Sequence, residues 1–248
     1  MKKYTLIVCT ALTSLSLTAF SCTNINASET DNKTERTKNN PPKFIYDIDS
    51  RFIANISKEE IRKAKTIIDL IPEDAGWDNF KFKQVTIRVM PDENTNYSKG
   101  KSKTLNLEQI ELLKTVDYSS NFIVDTYIKS KYPSAHDHYP YYITVIPENE
   151  ANYMGGKEAL IKYLKEGSAT TIAKIEKGKV KAGKIHFTVS TSGSIKDIYL
   201  ESSSGYPTVD QKMLDLMNIN PGLWLPATNE NGEKVEQELV FSFGTMGC

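Results

Sequence analysis

GKVKAGKIHFTVSTSGSIKDIYLESSSGYPTVDQKMLDLM, residues 178–217, decides how the last part of the chain folds. Ile185, Phe187 and Val189 alternate with His186 and Thr188, the period of two that a half-buried strand needs. Thr191-Ser192-Gly193-Ser194 interrupts the row, and Ile195, Ile198, Tyr199 and Leu200 resume it, so the pair reads as a β-hairpin. After Ser202-Ser203-Ser204-Gly205, Thr208 and Gln211 are spaced as a capping box. Val209, Met213, Leu214, Leu216 and Met217 supply the apolar face of the helix, which Asn220-Pro221-Gly222 ends. Working onward, Trp224-Leu225-Pro226-Ala227 leads through the turn Asn231-Gly232 to a last strand with Val235, Leu239, Phe241 and Phe243 at even spacing. The order is strand, strand, helix, strand.

Gly183, the strand IHFTVS, the turn TSGSI, the tract LESSSG with Gly205, then Asp210, the Trp224 and Pro226 of WLPA, and Gly232 follow one another in an order that resembles the C-terminal domain of TonB, in the form common in Bacteroidota. The resemblance runs from Tyr153 to the C-terminus, with Gly155 to Leu160 matching the family's opening helix. Where the family has a tyrosine-proline pair after that helix, this chain has Ala169-Thr170-Thr171-Ile172. The resemblance implies an α+β domain of a helix and a small antiparallel sheet, ordered helix, strand, strand, helix, strand.

Working back to the start, Lys2-Lys3 followed by LIVCTALTSLSLTAF has the charged and apolar parts of a secretory signal and is short for a membrane span. Residues 1–21 are therefore expected to direct export to the periplasm. Ser21-Cys22 fits a lipoprotein junction with Cys22 lipidated, and simple cleavage or an uncleaved signal-anchor are the alternatives. Residues 22–43 are polar and run into Pro41-Pro42, the composition of a disordered linker. Lys and Arg number 31, as do Asp and Glu, and loss of the leader with its two lysines leaves a mature charge of about −2. No basic stripe interleaved with aromatics is present, which argues against a nucleic-acid partner.

Residues 44–148 read as a separate, mostly β region with short helices, and 153–248 as the TonB-like domain. Ser57 and Glu60 form a capping box before Ile61, Ala64, Ile67, Ile68 and Ile71; Asn106 and Gln109 form a second before Ile110, Leu112, Leu113 and Val116. Phe80–Phe82, Val85–Val89, Phe122–Ile128 and Tyr141–Ile146 read as strands, with 91–103 a loop, and the set suggests a small β-sandwich. This run resembles the C-terminal domains of the gliding-machinery protein GldM, a resemblance that concerns packing alone.

Candidate chemistry is sparse. His136-Asp137-His138 crowds three potential metal ligands together, but on an extended segment the two histidines share one face and Asp137 the other, so a solvated loop is expected and no metal or other cofactor. His186 stands alone and reads as a surface or half-buried side chain. Ser202-Ser203-Ser204-Gly205 lacks the glycine that precedes serine in a nucleophile elbow, and no phosphate loop or Ser-His-Asp signature occurs, so no enzyme is expected.

The last strand carries the functional expectation. If the sheet has only three strands, Val235, Gln237, Leu239, Val240, Phe241 and Phe243 lie on an open edge, a template for an incoming extended peptide. Glu236 and Glu238 interrupt it and read equally as edge protection. The resemblance implies that the peptide is the TonB box of an outer-membrane TonB-dependent transporter, in energy-coupled transmembrane transport across a Gram-negative envelope. The leader, the short linker and the single Pro-Pro pair argue against coupling to a motor complex of the ExbB/ExbD kind. The rival expectation is a structural or assembly lipoprotein that dimerises through the same edge.

Overall fold

A computed structural model describes residues 43–71, 80–91, 94, 96–129, 137–176, 179–219 and 222–245. The leader, Cys22, the linker before Lys43, His136, Asn220, Pro221 and Cys248 lie outside the described residues. Among the described residues no helix is long and apolar enough to cross a membrane.

The chain is α+β, and its described residues build two larger sheets and two two-stranded pairs. Strand β1 (Phe44–Asp49) is followed by β2 (Ala54–Ser57), α1 (Lys58–Lys63) and a 3-10 turn at Ile67–Leu70. Then come β3 (Phe82–Val89), β4 (Tyr97–Gly100), α2 (Leu107–Leu113), β5 (Asn121–Ile128) and β6 (His138–Ile146). The second half contains β7 (Asn152–Tyr153), α3 (Lys157–Ile172), β8 (Ala182–Val189), β9 (Ile195–Ser202) and α4 (Pro207–Asn218). Two-residue strands β10 (Trp224–Leu225), β11 (Ala227–Thr228) and β12 (Lys234–Val235) precede the long β13 (Gln237–Thr245).

Strands β2-β6-β5-β3-β4 form a mixed sheet in which β2 runs parallel to β6 and the other neighbours are antiparallel. Val85, Ile87 and Val89, Phe122 and Val124, and Ile143 and Val145 point to one face, where Ile61, Ile67, Leu70, Leu113 and Val116 cover them. The second layer of this region is thus helical rather than a second sheet. The two capping boxes of this region close: Ser57 with Glu60, and Asn106 with Gln109, each satisfy two amides that a helix start leaves unpaired. The apolar run of 61–71 does not continue as one helix; it breaks at Ala64, and Asp69 takes the amides of Lys65 and Thr66.

Strands β1-β13-β8-β9 form the second sheet, antiparallel throughout. Its inner face, Ile185, Phe187 and Val189 with Leu239, Phe241 and Phe243, packs on Leu160 and Leu164 of α3 and on Val209, Met213 and Met217 of α4. The order helix, strand, strand, helix, strand expected for 153–248 is present, and Ala169–Ile172 is the last turn of α3. Thr208 caps nothing: α4 begins at Pro207, whose fixed φ suits the first helical turn.

The strand that the sequence reading passes over is β1. Phe44–Asp49 leave the first region and pair over their whole length with Thr245–Val240. Ile48 is buried, and Tyr46 packs near Phe241 at 6.3 Å between ring centroids and shares a 2.7 Å hydrogen bond with Ser168 of α3. Removing the buried Ile48 side chain should therefore cost more than removing its outward neighbour. Ile48→Ala is expected to lower the free energy of unfolding by ~2–4 kcal/mol and Ile45→Ala by under about 1.5 kcal/mol, read from urea denaturation. Equal, small losses would mean that β1 is not docked.

Candidate functional site

The pairing of β1 corrects the expectation of an open last strand. β13 lies between β1 and β8, so the backbone groups on both its sides are taken. Leu239, Phe241 and Phe243 face the core, and Val235 belongs to the short β11–β12 hairpin. Gln237 is buried; its Oε1 accepts the Ala151 amide at 2.7 Å and its Nε2 donates to Glu150 at 2.7 Å. The charged interruption is tied down as well, Glu236 by Lys196 at 2.8 Å and Glu238 by His186.

The family-motif residues have structural tasks. A Cβ on Gly183 would stand 2.5 Å from the Phe243 ring, so glycine is needed for β8 to carry that ring across it. Asp210, buried in the first turn of α4, accepts from the Ser204 amide at 2.9 Å and from the Ser203 hydroxyl at 2.5 Å, fastening the Gly205 turn to the helix. Trp224 is buried between Phe187 and Tyr153, with Pro226 next in line before β11. Gly232 takes φ +77° in the β11–β12 turn, a conformation that favours glycine.

The open edges of the second sheet are β1 and β9. β9 is a poor template: its pairing with β8 slips twice, Asp197 has φ +52°, and Lys196, Asp197 and Glu201 line it. Bulges and charges of this kind turn an edge away from further pairing. β1 is regular in register and flanks a groove of about 770 Å³. Ile45, Asp47, Val240 and Ser242 from the outer face of the sheet form one side, and Phe52, Ile53 and Pro140–Tyr142 the other. Ile53 is fully exposed and Tyr142 nearly half so. Lys157 reaches Asp47 at 2.8 Å beside this edge, but both partners are about half exposed, and such a pair is worth at most about 1 kcal/mol.

Beneath Tyr199 sits the least expected arrangement. His186 is fully buried, with Nδ1 3.0 Å from Glu238 Oε1 and Nε2 2.5 Å from Glu201 Oε2. Arg51, from the connection between β1 and β2, bonds Glu201 at 2.6 Å and brings Nη1 within 3.4 Å of His186 Nε2. Tyr199 stacks over the imidazole at 5.0 Å. Burial pushes the His186 pKa down, yet hydrogen bonds and charges from the two glutamates outweigh it and hold it above its ordinary value. Burial likewise opposes ionisation of Glu201, and His186 and Arg51 outweigh it, holding that carboxyl below the usual range. An imidazolium with both N–H groups on carboxylates, plus one guanidinium, leaves the cluster neutral. It clamps the β1–β2 connection onto the outer face of the second sheet, and Ser119 adds a 2.8 Å bond to the Glu238 amide from the first.

His138, from the histidine pair considered for a metal, lies 2.5 Å from Asp125 and stacks on Tyr127; Asp125 also pairs with Arg88. No group of three or more metal-ligating side chains occurs among the described residues. No protein-family model, curated protein or solved structure matches the chain.

Because the folded pKa of His186 is raised, its stabilisation is fully present below the ordinary histidine value of 6.5 and is lost as pH climbs through the folded value. Stability should fall as pH rises over the interval above about 6.5 in the natural chain, and His186→Gln should flatten that slope. The same variant should lose ~1–2 kcal/mol at mildly acidic pH, because it removes the cation between two carboxylates that solvent partly screens. A natural chain whose unfolding is pH-independent in this interval would contradict the clamp.

Proposed function

We propose that this chain is an exported TonB-like envelope protein that binds an extended segment on the periplasmic side of an outer-membrane transporter by β-strand addition. The acceptor is the outer edge of β1, not that of β13. The observation that carries this reading is the position of β1: of the two edges of the antiparallel sheet it is the one with unbroken register, and it flanks the 770 Å³ groove. In an antiparallel strand, alternate residues turn their N–H and C=O groups away from the paired neighbour. An incoming strand would take those groups of Phe44–Asp49, gaining affinity from the backbone and selectivity from the side chains it places on either face. The order of α3, β8, β9, α4 and β13, with glycines and Asp210 in motif positions, supports the TonB-like part of the reading.

The same edge suits a second copy of the chain, which is the structural reading. Calorimetric titration separates the two. Synthetic peptides from the periplasm-facing N-terminal segments of outer-membrane transporters should bind the full chain, and N-methylation of alternate peptide amides should weaken binding at least about tenfold, as loss of a ladder hydrogen bond requires. A stable dimer by light scattering that takes up no peptide, or peptide binding indifferent to N-methylation, would refute strand addition by a transporter.

A further inference from the structure

Asp47 and Lys157 stand on opposite sides of a sheet and yet touch. Along β1, Tyr46 and Ile48 turn inward to the core under α3 and α4, so the alternation sends Ile45, Asp47 and Asp49 to the outer face. Lys157 opens α3, a helix that covers the inner face, and its Nζ lies 2.8 Å from Asp47 Oδ1. β13 closes the other side of β1 along its whole length, so this contact runs around the free edge. The lysine therefore lies across backbone that an incoming strand needs, and charged side chains cover strand edges in this way.

A second lysine stands beside it. Leu160, Leu164, Ser168 and Ile172 form the buried side of α3, and Tyr163 and Gly167 meet Leu216 of α4 on one flank. On the other flank, toward β1, Ile161 and Lys165 continue the four-residue spacing begun by Lys157, and Lys165 Nζ lies 5.7 Å from the centroid of the Tyr46 ring. Lys165 has no carboxylate partner among the described residues. Glu166 lies toward Lys162 at 3.9 Å instead, and Glu158 pairs with neither Lys157 nor Lys165. The Lys157–Asp47 pair is about half exposed, weak enough to be exchanged for another.

An incoming strand divides these charges between its two faces. Residues directly opposite one another on neighbouring strands share a face, so side chains set against Tyr46 and Ile48 turn toward α3, and those set against Asp47 and Asp49 turn outward. The outward set meets two carboxylates and the apolar wall of Phe52, Ile53 and Tyr142. The cations of that groove are committed or distant: Arg51 is bound to Glu201, and Lys184 is on β8, two strands in from the edge. The set turned toward α3 meets Lys157 and Lys165. A basic residue there faces like charge, and an apolar one reaches only Ile161. A carboxylate there can replace Asp47 at Lys157 or give Lys165 the anion it lacks.

We infer that the segment received along β1 carries acidic side chains on the face it turns toward α3, where Lys157 and Lys165 take them up, Lys157 exchanging Asp47 for an incoming carboxylate. This rests on the strand-addition reading and names the charge of the partner and the face that carries it.

The full chain is titrated by calorimetry with a transporter-derived peptide in which each position in turn is set to Glu or Gln. At alternate positions Glu is expected to bind about threefold tighter than Gln, and at the positions between them more weakly, as an exposed ion pair and a like-charge contact require. The alternation should fade near 1 M salt, where the screening length falls to about 3 Å. In the double variant Lys157→Gln, Lys165→Gln, the Glu and Gln peptides should bind alike at the favoured positions. Both lysines are exposed, so the core is untouched by the change. An acid preference without the period of two, a preference that survives in the double variant, or peptides bound alike at every position would overturn the inference and leave strand addition standing. If no peptide binds, strand addition itself fails and the inference falls with it. The period of two is measured in the natural chain and does not depend on the variant.

Discussion

An internal β-strand must find partners for its backbone on both sides, because unpaired amides and carbonyls are costly once buried. In this chain that requirement is met for β13 by six residues from the opposite end of the described structure. Phe44–Asp49 take the edge that β8 leaves open, and they carry a buried isoleucine and a tyrosine into the core shared with α3 and α4. The strand that would be the natural acceptor in a three-stranded sheet becomes the centre of a four-stranded one, and acceptor geometry moves one strand outward. The groove flanking β1 follows from this shift, since it lies against a face of the new edge.

The same crossing ties the two sheets together. β1 and β2 belong to different sheets and are separated by only Ser50–Ile53, so whatever holds this connection holds the sheets in register. Two residues in that connection reach buried partners: the Phe52 amide donates to Thr144 Oγ1 at 3.0 Å, and Arg51 approaches His186. Its guanidinium meets Glu201, whose other oxygen meets His186, whose second nitrogen meets Glu238 on β13. His186 is the buried member, so removing either glutamate leaves a buried imidazolium short of a partner, which costs more than a fully exposed pair supplies.

Local signals in the sequence located much of this fold and little of the site. The period-two rows of β8 and β13, the i, i+4 spacing of Val209, Met213 and Met217, and two of the three capping boxes are short-range patterns that appear where the spacing puts them; the third, at Thr208, gives way to Pro207 at the helix start. β1 left a signal too, Phe44, Tyr46 and Ile48 in alternation, but it directly follows the polar, proline-ended stretch and its partner lies at the far end of the chain. The sandwich expectation failed for a related reason: alternation shows that a strand has one buried face and is silent on whether a helix or a sheet covers it. His186 reads as solitary because its partners stand 15, 52 and 135 residues away. No spacing rule reaches that far, and an isolated histidine between polar neighbours on a strand carries no local mark of burial.

Amide hydrogen exchange followed residue by residue, with and without a transporter peptide, tests the central claim most directly. If β1 is the acceptor, the amides of Gln237–Thr245 are slow to exchange in the free chain and stay so, while alternate amides of Phe44–Asp49 exchange readily and slow when the peptide binds. Should the β13 amides exchange readily in the free chain and gain protection on binding, while those of β1 lose it, the peptide would be taking the place of β1, and β13 rather than β1 would be the acceptor.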